Sequence, residues 1–228
     1  MLSALRGNER IKKSALARRH GVMCKLRCAT LAPPNYFGDI AITPPHTVDR
    51  LDFAAYLAWE AEQTERHEYH LGEVFAMAGA RIPHNTVSLN IAAALKAALR
   101  GTSCRAYIDG TKVRIESADA VLYPDVVVSC DERDRGPEDR FLSHPVLVVE
   151  VLSENTAAYD RGPKFALYRQ LESLREYVLV DVDLRRVESF RLGADGHWVL
   201  HDFTGSETVE FASVGQVVET KALYEDLD

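Results

Sequence analysis

The sequence contains few cysteines and no long apolar run, and each shortage excludes a class of protein. Its four cysteines are Cys24, Cys28, Cys104 and Cys130, and no two of them form a Cys-x-x-Cys pair. This spacing argues against a zinc ribbon and a disulfide scaffold and suits a reducing cytoplasm, where Cys104 and Cys130 would pack as small buried hydrophobic side chains. No apolar run approaches the ~18–20 residues that a membrane span needs. We therefore expect a cytoplasmic protein that has no membrane partner.

Positive charge is scarce outside the first residues. Residues 1–27 hold eight Lys and Arg against one Glu, a balance of +7, whereas the whole chain of 228 residues has a net charge of −7. The rest of the chain is therefore strongly acidic, at −14. An acidic body binds nucleic acid poorly, so any DNA binding is expected to be weak and salt-sensitive. The same acidity is compatible with a divalent cation, because such ions take carboxylate oxygens.

Residues 1–45 lack hydrophobic periodicity, begin with a basic stretch and end in turn formers such as APPNYFGD. This composition predicts a disordered basic tail and linker, followed by one domain over residues 46–228. A targeting signal is the rival interpretation, but the Arg18-Arg19 pair is not followed by the apolar stretch of about 7–15 residues that such a signal requires. Another alternative is a working protein that begins near Met23 or later.

The remaining chain alternates between helical and strand patterns. Apolar residues recur at helical spacing in TVDRLDFAAYLAWEAEQTERHE, PHNTVSLNIAAALKAALRG and NTAAYDRGPKFALYRQLES. In the last of these, Gly162-Pro163 lies early in the helix or interrupts it. Strand patterns occur in YHLGEVFAMAG, in CRAYIDGTKVRI, where Asp109-Gly110 predicts a hairpin, in residues 121–129 and 145–152, in REYVLVDVDLRRVESFRL and in HWVLHDFTGSETVEF. This order predicts an α/β (α+β) domain with a central sheet.

Two carboxylates lie in the most strand-like segments, VLYPDVVVSC and HPVLVVEVLSENT. Asp125 precedes one apolar run and Glu150 lies inside the other. A buried carboxylate is costly unless it is paired, so two of them near the ends of neighbouring strands favour a shared cation. Mg²⁺ uses one or two carboxylates together with water, and Asp125, Glu150 and the Val151 carbonyl suit such a site. The alternative is that both carboxylates lie in solvent at strand ends or cap a loop.

Lys164 follows Glu150 closely and is four residues from both Asp160 and Tyr168. One interpretation is an exposed helical ion pair with Asp160, which contributes about a few tenths of a kcal/mol. The other interpretation points Lys164 inward, where an ammonium group orients a metal-bound water and stabilises charge on a phosphate.

In these segments the sequence resembles the Uma-two type restriction endonucleases, a branch of the PD-(D/E)XK nuclease superfamily. The resemblance spans about residues 47–226, and its landmarks are TVDRLDFAAYLAWE, HEYHLGEVFAMAGARIPHNTVSLNIAAAL, YPDVVVSC, VLVVEVLSENTAAYDRGPKFALYRQLESLREYVLVD and LYEDL. It implies a restriction-endonuclease-like core, a central mixed β-sheet flanked by helices. It also implies an endodeoxyribonuclease that uses Mg²⁺ or Mn²⁺ and leaves a 5′-phosphate. Asp125 and Glu150 would bind the metal, and Glu68 would lie beside it or take a second one.

The sequence departs from the family pattern in two places. A lysine usually follows the motif Glu by two residues, where this chain has Leu152. The resemblance places the catalytic lysine on the next helix, which favours Lys164, with Lys112 as the rival. The first motif usually reads Tyr-Glu-Leu-Ile-Asp-Gly-Glu, whereas this chain reads HEYHLGE. Glu73 is therefore the substitute if Glu68 is misplaced.

Three residues are candidate substrate contacts: Lys112, Arg161 and His84, which resembles a histidine at the same place in the family. Basic residues that would favour DNA by clustering at the cleft are Arg81, Arg114, Arg133, Arg135, Arg140, Arg161 and Lys164. We expect a homodimer, because each subunit has one active site and two strands must be cut. The alternatives are a nuclease-fold binding module with little or no catalysis, acting through a protein partner, and a metal-dependent hydrolase of small phosphates.

Overall fold

The computed structural model describes residues 50–136, 138 and 140–227. The predicted basic tail at residues 1–45 lies outside this part of the chain. The α-helices in the described part are α1 (Phe53–Glu60), α2 (Ile82–Ala98), α3 (Ala157–Tyr159), α4 (Phe165–Tyr168) and α5 (Thr220–Leu223), with a π-helical turn, Asp160–Lys164, that joins α3 to α4. Short 3₁₀ helices lie at Glu116–Ala118, Glu132–Asp134 and Ala212–Val214. The strands are β1 (His67–His70), β2 (Glu73–Ala76), β3 (Arg105–Ile108), β4 (Val113–Ile115), β5 (Ala120–Leu122), β6 (Val126–Ser129), β7 (Pro145–Leu152), β8 (Glu176–Asp181), β9 (Arg186–Leu192), β10 (Trp198–Asp202), β11 (Thr208–Phe211) and β12 (Gln216–Glu219).

The strands of the described part pair into a large sheet, a small sheet and a separate hairpin. The large sheet has the order β10-β9-β8-β7-β6-β3, and the small sheet has the order β2-β1-β5-β4. The large sheet is mixed, because β7 and β8 run parallel while the other neighbours run antiparallel. Strands β11 and β12 pair only with each other. The predicted α+β domain with a central mixed sheet is therefore confirmed.

Both faces of the large sheet are buried. The alternating direction of the β7 side chains determines which of them face α2 and which face α4. Val149 and Val151 pack on the face that also carries the buried residues of α2. Val148 and Leu152 pack on the opposite face, against α4. Because successive side chains of a strand point to opposite faces, Glu150 shares the face of Val148 and Leu152. The carboxylate of Glu150 is thus directed toward the helical segment that follows β7.

Helix α2 covers the first of these faces. The predicted apolar face of this helix is confirmed at Val87, Ile91 and Leu95, each of which is completely buried. Ala98, at the end of the helix, is exposed. The helix ends ahead of Gly101, whose φ of +80° is a conformation that glycine adopts without steric cost.

The third predicted helix is interrupted at Gly162-Pro163. Proline has no N–H to donate, and its ring clashes with the carbonyl four residues earlier in a regular α-helix. The chain accommodates Pro163 by widening into the π-helical turn Asp160–Lys164, after which α4 begins at Phe165.

The single strand predicted for YHLGEVFAMAG is wrong, because this segment is a hairpin of β1 and β2. His70 pairs with Glu73 across a two-residue loop, in which Leu71 and Gly72 have φ of 50° and 88°. Positive φ at both loop residues is the geometry of a type I′ turn. Leu-Gly is not among the sequences that favour this turn, so the turn was not visible in the sequence.

The hairpin predicted around Asp109-Gly110 is also wrong, although the turn itself forms. β3, before the turn, pairs with β6 in the large sheet, whereas β4, after it, pairs with β5 in the small sheet. Gly110 has a φ of +89°, as the turn requires. Turn residues determine the local backbone, but they do not determine which strand each flank will pair with.

Cys104 and Cys130 form a disulfide rather than packing as two buried thiols. Arg105 pairs with Ser129 across β3 and β6. Cys104 and Cys130, the adjacent residues, therefore lie opposite each other at the end of this strand pair. Their separation of 26 residues carries no sign of this pairing. The disulfide weakens the argument that led from cysteine usage to a reducing compartment.

Within the described residues, every helix is too short or too polar to cross a membrane.

Replacement of Leu95 by alanine tests the packing of α2 on the large sheet. Leu95 is completely buried, so Leu95→Ala should lower the free energy of unfolding by about 2–5 kcal/mol. Leu89→Ala is the matched control in the same helix, because Leu89 is 60% exposed and its truncation should change stability by less than about 0.5 kcal/mol. Urea denaturation followed by circular dichroism measures both. Equal losses in the two variants would contradict this packing.

Candidate active site

The chain passes from the small sheet to the large sheet at Tyr123-Pro124-Asp125, a segment called the crossover below. Strand β5 ends at Leu122 in the small sheet, and β6 begins at Val126 in the large one. Pro124 has no N–H for a strand ladder, so the strand predicted over residues 121–129 is broken here. Asp125 therefore lies at the junction of the two sheets.

Asp125, directly before β6, lies opposite Glu150 on β7. Val126 pairs with Val149 in antiparallel register, which places Asp125, one residue earlier, across from Glu150, one residue later. Asp125 Oδ2 accepts a hydrogen bond of 2.7 Å from the Val151 N–H. Glu150 is only 2% exposed. Opposed like charges destabilise a strand pair, so this arrangement requires positive charge nearby.

The Lys164 ammonium group supplies positive charge at this point. Its Nζ lies 2.9 Å from Glu150 Oε1, 3.2 Å from Glu68 Oε1 and 3.7 Å from Asp160 Oδ1. It also donates to the Tyr123 carbonyl at 3.5 Å. Only 7% of its side chain is exposed, so Lys164 is not an exposed helical ion pair and points inward, as the second interpretation requires.

The π-helical turn explains how Tyr159 and Lys164 both reach Glu68. The Tyr159 hydroxyl donates to Glu68 Oε2 at 3.3 Å, while Lys164 approaches Oε1. In an α-helix, residues five apart would point in directions about 140° apart, at about 100° per residue. The wider π-helical turn, in which bonding extends to the fifth residue, brings them to one side. The interruption caused by Pro163 thus helps to assemble the site.

Asp160 belongs, with Glu150 and Glu68, to the cluster of acids around Lys164. The sequence had indicated it only as a partner of Lys164. It is 3% exposed, and its backbone carbonyl accepts a hydrogen bond of 2.8 Å from the Tyr177 hydroxyl. The spacing of four residues to Lys164 was the available signal. That spacing does not distinguish an exposed pair from a buried one, because both have the same helical geometry.

Burial and the surplus of carboxylates shift the pKa values of the cluster. Burial opposes the charged form of Lys164, but Glu150, Glu68 and Asp160 outweigh it and hold the pKa of this ammonium well above its usual range. Burial raises the pKa of Glu150, against the opposing effect of Lys164. Burial also raises the pKa of Asp160 to about 6, again with Lys164 opposing. The lysine therefore stays charged, and the carboxylates would be stabilised by further positive charge.

His84 adjoins Asp125 from the first turn of α2. Its Nε2 lies 3.4 Å from Asp125 Oδ2. Burial lowers the stability of the imidazolium, but the hydrogen bond and charge of Asp125, together with the Val151 backbone, outweigh it and raise the pKa of His84. The structure thus places this candidate substrate contact beside a candidate metal-binding carboxylate.

A buried hydrogen-bond network behind the site was missed by sequence reasoning. The Tyr123 hydroxyl donates to Glu60 Oε1 at 2.7 Å, and the Tyr123 N–H donates to Glu68 Oε1 at 3.3 Å. Glu60 Oε1 also accepts from the His67 N–H at 3.0 Å, and the His67 carbonyl accepts from the Tyr56 hydroxyl at 2.7 Å. The network joins α1, β1 and the crossover, and nothing in their sequence spacing indicates that they meet.

The two alternatives that the sequence left open, Glu73 and Lys112, lie outside the cluster. Glu73 is exposed on the β1–β2 hairpin and pairs with Arg50 at 3.6 Å, so Glu68 is the acid of this motif that reaches the site. Lys112 Nζ lies 5.2 Å from the centroid of the Tyr123 ring. Lys112 therefore flanks the crossover without touching the carboxylates.

Most of the basic residues predicted to favour DNA are held by carboxylates of their own chain. The pairs are Arg81 with Asp183, Arg114 with Asp119, Arg133 with Asp131, Arg135 with Glu132 and Arg161 with Glu188. Lys112 and Arg140 form no ion pair with a carboxylate in the described ranges. The cations left to meet a polyanion near the site are therefore fewer than the sequence suggested.

The residues present fit a divalent cation that brings its own water ligands. No three Asp, Glu, His or Cys side chains of the described residues converge into a ready ligand cage. Mg²⁺ does not require one, because it commonly uses one or two carboxylates and keeps several waters. Asp125 and Glu150 are two opposed carboxylates, and 24% of the Asp125 side chain is exposed. This donor set suits a hard cation better than zinc, which takes nitrogen and sulfur ligands.

A known protein family matches most of the chain. The family model of Uma2, described as "Putative restriction endonuclease", matches residues 53–219. Two uncharacterised proteins of Synechocystis sp. are similar in sequence. One is 35% identical over 188 residues, which cover 82% of this chain and 98% of the relative. The other is 30% identical over 168 residues, which cover 73% of this chain and 95% of the relative.

A solved structure shares the fold. The crystal structure of a putative nuclease belonging to DUF820 from Anabaena variabilis superposes with a TM-score of 0.64 and 16% identity, and it covers 76% of this chain and 97% of its own. At this identity the likeness concerns the fold alone. The predicted restriction-endonuclease-like core is thereby confirmed.

The raised pKa of Asp160 predicts a specific dependence of stability on pH. Because the folded-state pKa of about 6 lies above the ordinary value of 3.8, the free energy of unfolding should fall as pH rises from about 4 to about 6. Asp160→Asn removes this contribution. The free energy of unfolding of this variant, relative to that of wild type, should therefore rise by on the order of 3 kcal/mol from pH 4 to pH 7. Urea denaturation at several pH values measures the difference. Parallel curves for the two proteins would contradict the assignment.

Proposed function

Because the chain belongs to the Uma2 family of putative restriction endonucleases, we propose that it is an endodeoxyribonuclease that hydrolyses DNA phosphodiester bonds with a bound Mg²⁺ or Mn²⁺ ion. The observation that carries this proposal is the arrangement of Asp125 opposite Glu150, with the Lys164 ammonium 2.9 Å from Glu150. Two acids and a lysine in this relation provide metal ligands and a positioned cation, the groups that metal-assisted phosphodiester hydrolysis needs.

The residues that would hold the cation are Asp125, Glu150 and the Val151 carbonyl, with Glu68 beside them. A divalent cation bound there would polarise the scissile phosphate and make a bound water more acidic. Asp125 is held in place by the Val151 N–H, so its carboxylate is oriented before any ligand arrives. Such preorganisation lowers the cost of binding.

Lys164 would act on the substrate as well as on the carboxylates. Its ammonium remains charged in a buried position, where a positive charge stabilises a developing phosphate charge more strongly than it does in water. It would also hold the attacking water at hydrogen-bond distance. His84, 3.4 Å from Asp125, lies where it can donate to a phosphate oxygen or hold a proton next to that carboxylate.

The phosphates of DNA would be met by Lys112 and Arg140. Lys112 lies beside the crossover, over the Tyr123 ring. Burial lowers the pKa of Lys112, and the positive charges of Arg66 and Arg140 lower it further. Neither Lys112 nor Arg140 forms an ion pair with a described carboxylate, so a DNA phosphate need not displace an internal partner. With so few free cations on an acidic body, binding would be weak and sensitive to salt. The homodimer and the cytoplasmic location remain predictions.

One observation favours a second candidate function. Lys164 already neutralises part of the acid cluster, so the fold does not require a metal ion to be stable. A nuclease fold that acts as a binding module through a protein partner, with little or no catalysis, would keep the same network.

Isosteric amide replacements separate these two functions. Asp125→Asn and Glu150→Gln should each lower the rate of DNA cleavage in Mn²⁺ by at least about a hundredfold, because each removes a metal-binding charge. Glu172→Gln, at an exposed position, is the control and should cleave at the wild-type rate. Circular dichroism confirms folding before the assay. Full activity in either site variant would contradict the assignment of that carboxylate to the metal, whereas no cleavage by folded wild type across linear, supercoiled and single-stranded DNA would favour the binding module.

The role of Lys112 can be tested through the salt dependence of DNA binding. Lys112→Ala should weaken binding and reduce the slope of log K against log salt concentration by about 0.9, the contribution of one phosphate contact. Lys96→Ala is the control, because Lys96 is exposed about three turns along α2 from His84. Fluorescence anisotropy with a labelled duplex and Ca²⁺ measures both slopes. The same slope for Lys112→Ala and wild type would exclude the contact.

A further inference from the structure

We propose, building on the proposed function, that the site takes a single divalent cation because the Lys164 ammonium occupies the place of a second one. In this arrangement Glu68 is a positioning residue for Lys164 and not a metal ligand. The inference concerns the question that the family resemblance left open, namely whether Glu68 lies beside the metal or binds a second ion.

Both oxygens of Glu68 are already engaged by donors of the chain. Oε1 lies 3.2 Å from Lys164 Nζ and accepts from the Tyr123 N–H at 3.3 Å. Oε2 accepts from the Tyr159 hydroxyl at 3.3 Å. A cation that bound Glu68 would have to displace at least one of these donors. Groups of the protein itself therefore already bind both oxygens of this carboxylate.

The ammonium lies where a bridging ion would have to lie. Lys164 Nζ contacts one oxygen of Glu68 and one oxygen of Glu150, the two acids that a second ion would share. Asp160 approaches the same nitrogen at 3.7 Å. A divalent ion placed between these acids would be a few ångströms from the ammonium, and the repulsion between them would be only weakly screened in this buried position.

Further contacts hold Lys164 in this position. The π-helical turn that carries it is held where the Tyr177 hydroxyl donates to the Asp160 carbonyl at 2.8 Å. Its Nζ donates to the Tyr123 carbonyl at 3.5 Å. Rotation of the side chain would leave three buried carboxylates without a cation, which is unfavourable.

The opening that remains is on the Asp125 side. There 24% of the Asp125 side chain is exposed, compared with 10% for Glu68 and 7% for Lys164. A hydrated ion would enter at Asp125, the most exposed of these side chains, and would reach Glu150 from that side. The site would then hold one hydrated cation beside a fixed ammonium.

Calorimetric titration of Mn²⁺ into the metal-free full chain tests the stoichiometry. Wild type should bind one Mn²⁺ ion per chain, and Asp125→Asn should bind none. Glu68→Gln should still bind one ion per chain, because the ion does not use Glu68. Lys164→Met should bind two ions, since it frees the acids that the ammonium now occupies, and its melting temperature should rise more with Mn²⁺ than that of wild type.

Two Mn²⁺ ions in wild type with one lost in Glu68→Gln would overturn the inference, as would a single ion in folded Lys164→Met. If Lys164→Met does not fold, Glu68→Gln decides alone: loss of an ion overturns the inference and retention supports it. No Mn²⁺ bound to wild type or to Lys164→Met also overturns it. The proposed function is judged separately, by whether wild type cleaves DNA, so a cleaving enzyme with two ions would refute only the inference.

Discussion

The Lys164 ammonium group contacts carboxylates from three separate parts of the fold. Glu150 comes from the large sheet, Glu68 from the small sheet and Asp160 from the helical turn that carries the lysine itself. The relation of the two sheets at the crossover therefore depends on one buried charge. Without that charge, the opposition of Asp125, directly before β6, and Glu150 on β7 would be strongly unfavourable.

A buried ionic network of this kind is weak support for stability as such. Apolar residues of similar volume often stabilise a fold as well as a buried ion pair does, because they avoid the cost of removing charges from water. The apolar clusters on both faces of the large sheet already supply the hydrophobic core. The network is better explained by chemistry, since it keeps acids and a charged lysine in fixed positions at the end of a rigid sheet.

Charge pairing also organises the surface. Most of the arginines that the sequence offered for DNA are held by carboxylates of their own chain, as Arg161 is by Glu188. An acidic domain that pairs most of its cations internally cannot attract a polyanion over long distances. Recognition would then depend on contacts close to the crossover, where Lys112 lies over the Tyr123 ring without an ion pair to a described carboxylate. This arrangement favours a substrate that binds through a few phosphates at the site.

The sequence by itself determined the fold class, the apolar face of α2 and the two carboxylates, because periodicity and local composition report burial along a single segment. A charged residue inside an apolar run, such as Glu150, is visible in the same way. The tertiary structure alone decided which lysine and which acid meet these carboxylates, because Glu68, Tyr123 and Lys164 come together only through the pairing of distant strands. It also decided that Asp109-Gly110 separates two sheets and that Cys104 faces Cys130. Strand pairing is a non-local choice made by the core as a whole, and no local pattern in the sequence records it.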